Sequence, residues 1–247
     1  MLDRRALLGG GLAATAAAGG YLLVHPPLGL WPSFAELTAD YRTGTGQQRR
    51  IAFEGSVSVQ MNTQTTIAML PAPSGASVVE RIELISGEAA ITTGPQGVRP
   101  FVVMAARGQT TATSARFNVR NDDATVCVTC LEGDVDVEHQ GRIAKVGAKQ
   151  QVTYTAEGLT STTAADPDAV MAWQRGLLVF RNDPLARVID ELNRYRPGKI
   201  ILMNAESGRQ SVLATFRIDR IDEFVSRLQT VFGLKARGFP GGIVLLS

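Results

Sequence analysis

Cys127 and Cys130 are the residues whose type and spacing most readily suggest chemistry, because C-x-x-C serves redox pairs and half zinc sites. Their context argues against both uses. They stand in ATVCVTCLEG, a β-branched run, and side chains three apart on a regular strand point to opposite faces, so a disulfide there needs a bulge. The expectation is two unpaired, packed thiols. Only His25 and His139 could add imidazole, too little for a zinc site built from thiolate and imidazole. The carboxylate pairs Asp122 with Asp123 and Asp134 with Asp136 fall at expected turns or on solvent faces of hairpins. The sequence also lacks G-x-S-x-G, a P-loop and H-E-x-x-H, so no triad and no metal or cofactor motif can be assembled from it. A protein that is not an enzyme and needs no cofactor is expected.

Charge excludes another class. The 247 residues carry 25 basic and 23 acidic side chains spread along the chain, so no block of like charge grips phosphates and nucleic acid is not an expected partner. With 45% hydrophobic and 19% charged residues, the chain suits one to two folded domains.

The elements that would position any functional residue begin with an address. Residues 6–24, ALLGGGLAATAAAGGYLLV, are uncharged and long enough to span a bilayer core as a helix. Arg4 and Arg5 precede them, which should hold a short tail, residues 1–5, in the cytoplasm and send the rest outward. This predicts a single-pass inner-membrane protein with its bulk in the periplasm. The same residues, DRRALLGGG, also read as a twin-arginine export signal, although no clean A-x-A follows the apolar run. On that second reading the chain is an exported periplasmic binding or scaffolding module. Next comes a connector over 30–48, where Phe34, Leu37 and Tyr41 fall at helical spacing and Ser33 with Glu36 can form a capping box.

From 49 to 158 the texture is short alternating runs such as SVSVQMN, RIELIS, PFVVMAA, ARFNVR and DVDVEH. An all-β sandwich or irregular roll is expected. Phe53–Val59, Ile85–Ile91 and Leu131–Val137 share a plan of apolar residue, polar residue, glycine and alternation, read here as repeated hairpins turning at the glycine. The alternation places Val57 with Val59, Ala89 with Ile91, and Val135 with Val137 on one face. Residues 159–172 are small and polar and make a linker. Residues 173–247 predict a β-α-β-β-α-β-β unit in which one two- or three-stranded layer is covered by two helices. The first helix is capped by Asp183 with Pro184 in its first turn and striped by Leu185, Val188, Ile189 and Leu192. The second starts from Asp219, is striped by Ile221, Phe224, Val225, Leu228 and Val231, and stops at Gly233. The fold class is therefore mainly β with a C-terminal α+β domain.

Three segments together resemble the FecR family of cell-surface-signalling regulators: ADYRTGTGQQRRIAFEGSVSVQMNTQTTI, then RIELISGEAAI with PFVV and ARFNVR, then WQRGLLVFRNDPLARVIDELNRY. The resemblance covers most of residues 39–195. It implies a regulator that hears a TonB-dependent outer-membrane receptor, as in iron uptake, and controls an extracytoplasmic-function sigma factor. It also implies a last domain like the short N-terminal signalling module of such receptors and of secretins. Such regulators grip the sigma factor with a cytoplasmic domain of several tens of residues, whereas five residues precede the span here, so that domain is expected to be missing. Asn193 and Arg194 of the NRY signature are polar and expected at the surface as partner contacts. The strand Gly242–Ser247 is expected at a sheet edge, pairing with the receptor's signalling domain through its main chain. Ile243 with Leu245, or Val244 with Leu246, would then choose the partner face.

Some family members cut themselves at a Gly-Thr pair before the R-F-x-V strand. Here the matching pair is Ser114-Ala115, and alanine has no nucleophile. The chain is therefore expected to stay whole: mass spectrometry of the purified protein should give one intact species, and a preparation already split at this bond overturns the reading.

Overall fold

A computed structural model describes residues 39–53, 57–71, 80–94, 99–122 and 124–247. The expected tail over 1–5, the anchor over 6–24 and the first part of the connector lie outside them. Among the described residues no helix is long and apolar enough to cross a membrane. The end of the connector is not helical: Tyr41 pairs with Ile67 in a strand, the Arg49 guanidinium lies 5.1 Å from its ring centre, and Thr43 donates to Asn62 O at 2.5 Å. Strand pairing and the threonine hydroxyl give this backbone partners that a helix end would lack.

The first unit is built from β1 (Tyr41–Arg42), β2 (Arg49–Ala52), β3 (Ser58–Met61), β4 (Thr66–Leu70), β5 (Arg81–Thr92), β6 (Phe101–Ala105), β7 (Gly108–Ala112), β8 (Ala115–Asp122), β9 (Thr125–His139), β10 (Arg142–Gly147), β11 (Gln150–Thr155), β12 (Gly158–Leu159) and β13 (Thr163–Ala164). They form two layers around a core that includes Val59, Leu84, Ile91, Phe117, Val128 and Val137. One layer runs β1-β4-β5-β6-β7-β9-β10 and the other β2-β3-β5-β8-β9-β11, so β5 and β9 belong to both. The predicted inward pairs hold, since Ala89, Ile91, Val135 and Val137 are buried and Val57 packs with Val59 against the same core.

The repeated glycines do a different job from the one expected. The runs before and after Gly87, RIELIS and EAAIT, are one strand, β5, and those before and after Gly133, TVCVTCLE and DVDVEH, are one strand, β9. Gly87 and Gly133 stand where each long strand leaves one layer for the other. The residue two before each glycine, Ile85 or Leu131, is skipped in the pairing with β4 or β8 and forms a bulge. Both glycines have positive φ, 90° and 75°. A Cβ on Gly87 would stand 2.5 Å from Thr65 Oγ1, and one on Gly133 would strike the Ser114 carbonyl oxygen. The motif is thus a corner, not a hairpin turn. The Gly55 copy lies outside the described residues.

Cys127 and Cys130 are free and lie on opposite faces of β9, Cys130 inside the core and Cys127 half-buried on the outer face. Burial, followed by the nearby Asp134 carboxylate, pushes the Cys130 thiol up to about 11. The expected linker is held in place: β12 and β13 both pair with β11, and Asp166 accepts from Asp168 N and Ala169 N to start the short helix α1 (Pro167–Val170).

The second unit runs β14 (Leu177–Pro184), α2 (Leu185–Tyr195), β15 (Ile200–Leu202), α3 (Ala205–Gly208), β16 (Ser211–Arg217), α4 (Ile221–Phe232), β17 (Ala236–Phe239) and β18 (Ile243–Leu246). Its strands make two small sheets where one layer was expected: antiparallel β14-β16, and β15-β18-β17 with β15 parallel to β18. Leu185, Val188, Ile189 and Leu192 of α2 and Ile221, Phe224, Val225 and Leu228 of α4 are buried in their shared core. The α4 stripe continues through Phe232, four residues on, and leaves Val231 exposed at 72%. Asp183 does not cap α2; it lies within β14, where its side chain accepts from Arg181 N and pairs with Arg187, and Pro184 stands at the N-cap. The 3₁₀ turn Ile218–Arg220 holds Asp219, bonded to Arg217, and α4 itself begins at Ile221.

The corner geometry makes a stability prediction. Gly141 has φ 73° and open space around its missing Cβ, so Gly141→Ala meets only left-handed strain, about 1 kcal/mol. Gly133→Ala adds a clash with backbone and should cost about 3 kcal/mol or more in urea unfolding. Equal costs would show that Gly133 is not a corner constraint.

Candidate functional site

The outer face of the second layer carries residues that alternate with those facing the β unit's own core: Gln60 on β3, Glu88 and Ala90 on β5, and Arg116, Asn118 and Arg120 on β8, brought side by side by the strand register. The second unit covers this face. Ala90 and Leu131 join that unit's core beside Trp173, Leu192 and Tyr195. The bulge at Leu131 is what turns this leucine out of its own unit's core and into the junction.

At the centre is Glu88, a carboxylate only 5% exposed on a sheet face. Its Oε2 accepts from Arg194 Nη1 at 3.0 Å and from Asn62 Nδ2 at 2.8 Å, and its Oε1 accepts from Asn118 Nδ2 at 3.0 Å. Arg194 Nη1 also donates to Glu191 Oε1 at 2.9 Å, one turn back on α2. Arg120 completes the set, donating from Nη1 to Glu191 Oε2 and from Nε to Asp122 Oδ2, both at 2.6 Å. Thus Arg194 of the second unit sits against Glu88 of the first, and Arg120 of the first sits against Glu191 of the second. The two ion pairs are reciprocal.

Neutral bonds frame them. Asn62 Nδ2 donates to Tyr195 Oη at 2.6 Å, and its Oδ1 is held by Thr63 N at 2.7 Å. Thr63 Oγ1 donates to Arg194 O at 2.9 Å, at the otherwise unpaired end of α2. Gln48 Nε2 donates to Trp173 O at 2.8 Å, and Gln174 Nε2 to Gln60 Oε1 at 3.0 Å.

The electrostatics follow from burial opposed by charge. Burial would raise the Glu88 carboxyl, but Arg194, then Arg120, then the two asparagine amides outweigh it and hold it below the ordinary carboxylate range. For Arg194, burial works against the charge and the Glu88 and Glu191 carboxylates more than restore it. Burial, followed by those two carboxylates, keeps the Tyr195 phenol protonated. The site holds charges in fixed positions; it presents no nucleophile beside a base. His139 is stacked on Tyr154 with Nε2 2.9 Å from Thr155 O, apart from this cluster. Among the described residues no three His, Cys, Asp or Glu side chains gather to hold a metal.

The predicted contact residues fall into three groups. Arg194 is not a free surface cation but half of the buried inter-unit pair. Asn193 is also engaged internally, donating from Nδ2 to Ile200 O at 2.9 Å and accepting from Ile200 N at 2.7 Å, so its amide stands in for a neighbouring strand along β15. The four residues of β18 are not at an edge. They form the central strand, paired on one side with β15, which runs parallel to them, and on the other with β17. Of these, Val244 and Leu246 face the core, while Ile243 and Leu245 face outward.

Glu88, Asn62, Asn118, Arg120 and Glu191 were not expected as site residues. The available signal was Ala90, a small apolar residue where a solvated face would carry polar side chains.

Residues 39–136 match the family described as FecR protein, a span that holds Glu88, Asn62 and Arg120 but ends before Arg194. Two crystal structures of a "putative anti-sigma factor" from Parabacteroides distasonis ATCC 8503 share the fold of both units. One has a TM-score of 0.71 at 20% identity and covers 84% of this chain and 97% of its own. The other has a TM-score of 0.70 at 19% identity, with 83% and 96% covered. No curated protein matches the sequence.

Arg194→Ala should cost about 3 kcal/mol or more of unfolding free energy, because it leaves Glu88 buried without its main partner. Because the Glu88 pKa is lowered on folding, its contribution is full above the ordinary carboxylate range and disappears as pH falls through its own lower value. Acid titration followed by Trp173 fluorescence should therefore show an opening transition that Glu88→Gln removes. A transition unchanged in that variant would exclude Glu88 as its source.

Proposed function

We propose that this chain is a non-catalytic regulator of the FecR type in the signalling route that leads to an extracytoplasmic-function sigma factor. It is tethered in the inner membrane by residues 6–24, and it relays the state of a TonB-dependent outer-membrane receptor in iron uptake. The observation that carries the reading is the joint one: the FecR match lies on the β unit, and both units together follow the anti-sigma-type fold over almost the whole of the compared chain. The α+β unit is the receiving module, as the resemblance of its sequence to the signalling modules of such receptors implies, and the β unit is the part nearer the membrane.

The junction suits a relay. An input at the second unit reaches the first only if the contact between them has few alternative arrangements, and the reciprocal pairs Glu88–Arg194 and Arg120–Glu191 give it a defined register. Their burial makes partial separation costly, so the units move together or part outright. Charge placement without a nucleophile is what a transmitter needs.

The test is transcription from a promoter that depends on the associated sigma factor, compared in cells with the gene intact, deleted and overexpressed, with and without the receptor's ligand. A ligand response of about fivefold or more that requires the gene is expected, the output of a coupling near 1 kcal/mol. Identical transcription in all strains would overturn the assignment.

A further inference from the structure

Register alone sorts the side chains of the sheet β15-β18-β17. Ile201 pairs with Leu245, which pairs with Arg237, and Ile243 pairs with Phe239. Lys199 and Met203 continue β15 at either end, through Val244 N to Lys199 O and Met203 N to Leu246 O, both 2.8 Å. Lys235 extends β17 in the same way opposite Ser247. Residues two apart share a face, so Ile201, Met203, Ile243, Leu245 and Phe239 point one way together with Lys199, Lys235 and Arg237. The other side carries Ile200, Val244 and Leu246 and packs into the core.

The centre of the outward face is apolar and, among the described residues, uncovered. Ile201, Met203, Phe239 and Ile243 are 40%, 64%, 47% and 37% exposed, half of the large exposed hydrophobic residues among those described, gathered on one small sheet. Scattered exposed leucines need no explanation, but a contiguous group rimmed by charge marks an interaction site. The ionisable side chains on the three strands of this face have one sign. No acidic side chain lies on the face, and none of its three cations enters an ion pair among the described residues. A second copy docked on the same face would set cations against cations, which disfavours a homodimer there.

We infer that this face is where the regulator receives its protein partner, and that the partner presents apolar side chains flanked by carboxylates. The inference rests on the proposed function and names the surface and chemistry of its receptor contact. Edge pairing has less to use here, because β18 is central and Asn193 already occupies both main-chain groups of Ile200 on the open side of β15, which leaves chiefly the outer edge of the four-residue strand β17. Face docking uses what is left: an apolar centre for affinity and cations for steering and orientation.

The test uses the full chain in non-ionic detergent and the purified signalling module of its receptor. One variant combines Ile201→Ser with Ile243→Ser, and a second combines Lys199→Glu with Arg237→Glu; all four positions are exposed, so melting temperatures should stay within a few degrees. Each variant should bind the module about tenfold more weakly or worse, and wild-type binding should weaken with added salt. Unchanged binding in both variants overturns the surface while leaving the sigma-reporter result standing. A module that fails to bind the wild-type chain overturns the inference too, and if phosphatidylglycerol vesicles bind instead and lose binding in the charge variant, the occupant is lipid and not protein. An unresponsive reporter, in contrast, rejects the functional reading itself.

Discussion

A carboxylate buried on the outer face of a sheet is the constraint around which this molecule is organised. Glu88 has no place in the core of its own unit, since its neighbours Ala89 and Ile91 already fill that side. Left uncovered it would be solvated and unremarkable. Covered, it must have cationic and amide partners, or the desolvation would neutralise it. The NRY end of α2 supplies the guanidinium, β8 supplies Asn118 and Arg120, and the turn after β3 supplies Asn62. Docking of the second unit and ionisation of Glu88 are thus mutually dependent.

That dependence explains why the surrounding elements are shaped as they are. The bulge before Gly133 sends Leu131 outward to join the second unit's core, while the positive φ of the glycine lets β9 change layers directly after it. The same device before Gly87 brings Glu88 onto the covered face immediately after the corner. Corner and junction are therefore adjacent in sequence in both long strands. The segment over 159–172, which could have been a loose tether, is strung along β11 and fixes where the second unit begins. A buried polar interface needs such restraint, because a misregistered ion pair costs more than none.

In functional terms the second unit has two faces with opposite duties. Its α2 end is committed to the β unit through Arg194, Glu191 and Tyr195. Among the described residues, nothing covers the outer face of its three-stranded sheet. The module thus holds its own protein on one side and offers an apolar sheet flanked by cations on the other.

Much of this was legible in the sequence because it depended on local periodicity. Strand alternation identified the inward residues of β5 and β9, helical spacing identified the α2 stripe and most of the α4 stripe, and Gly233 closes α4 with φ 65° as its position suggested. The sparse histidine and cysteine content, and the placement of the two thiols on opposite strand faces, also needed no structure. Pairing between distant segments did not reveal itself in the same way. A glycine between two alternating runs looks alike whether the chain reverses or continues through a corner, so Gly87 and Gly133 read as turns until the register was known. A terminal apolar strand looks alike at an edge or in the centre, so β18 was read as open until β15 and β17 flanked it. Arg194 looks like any surface arginine until Glu88, 106 residues away, is set opposite it. Local propensity is written in neighbouring residues; which charge meets which, and which face stays uncovered, is decided only when the two layers and the second unit close on one another.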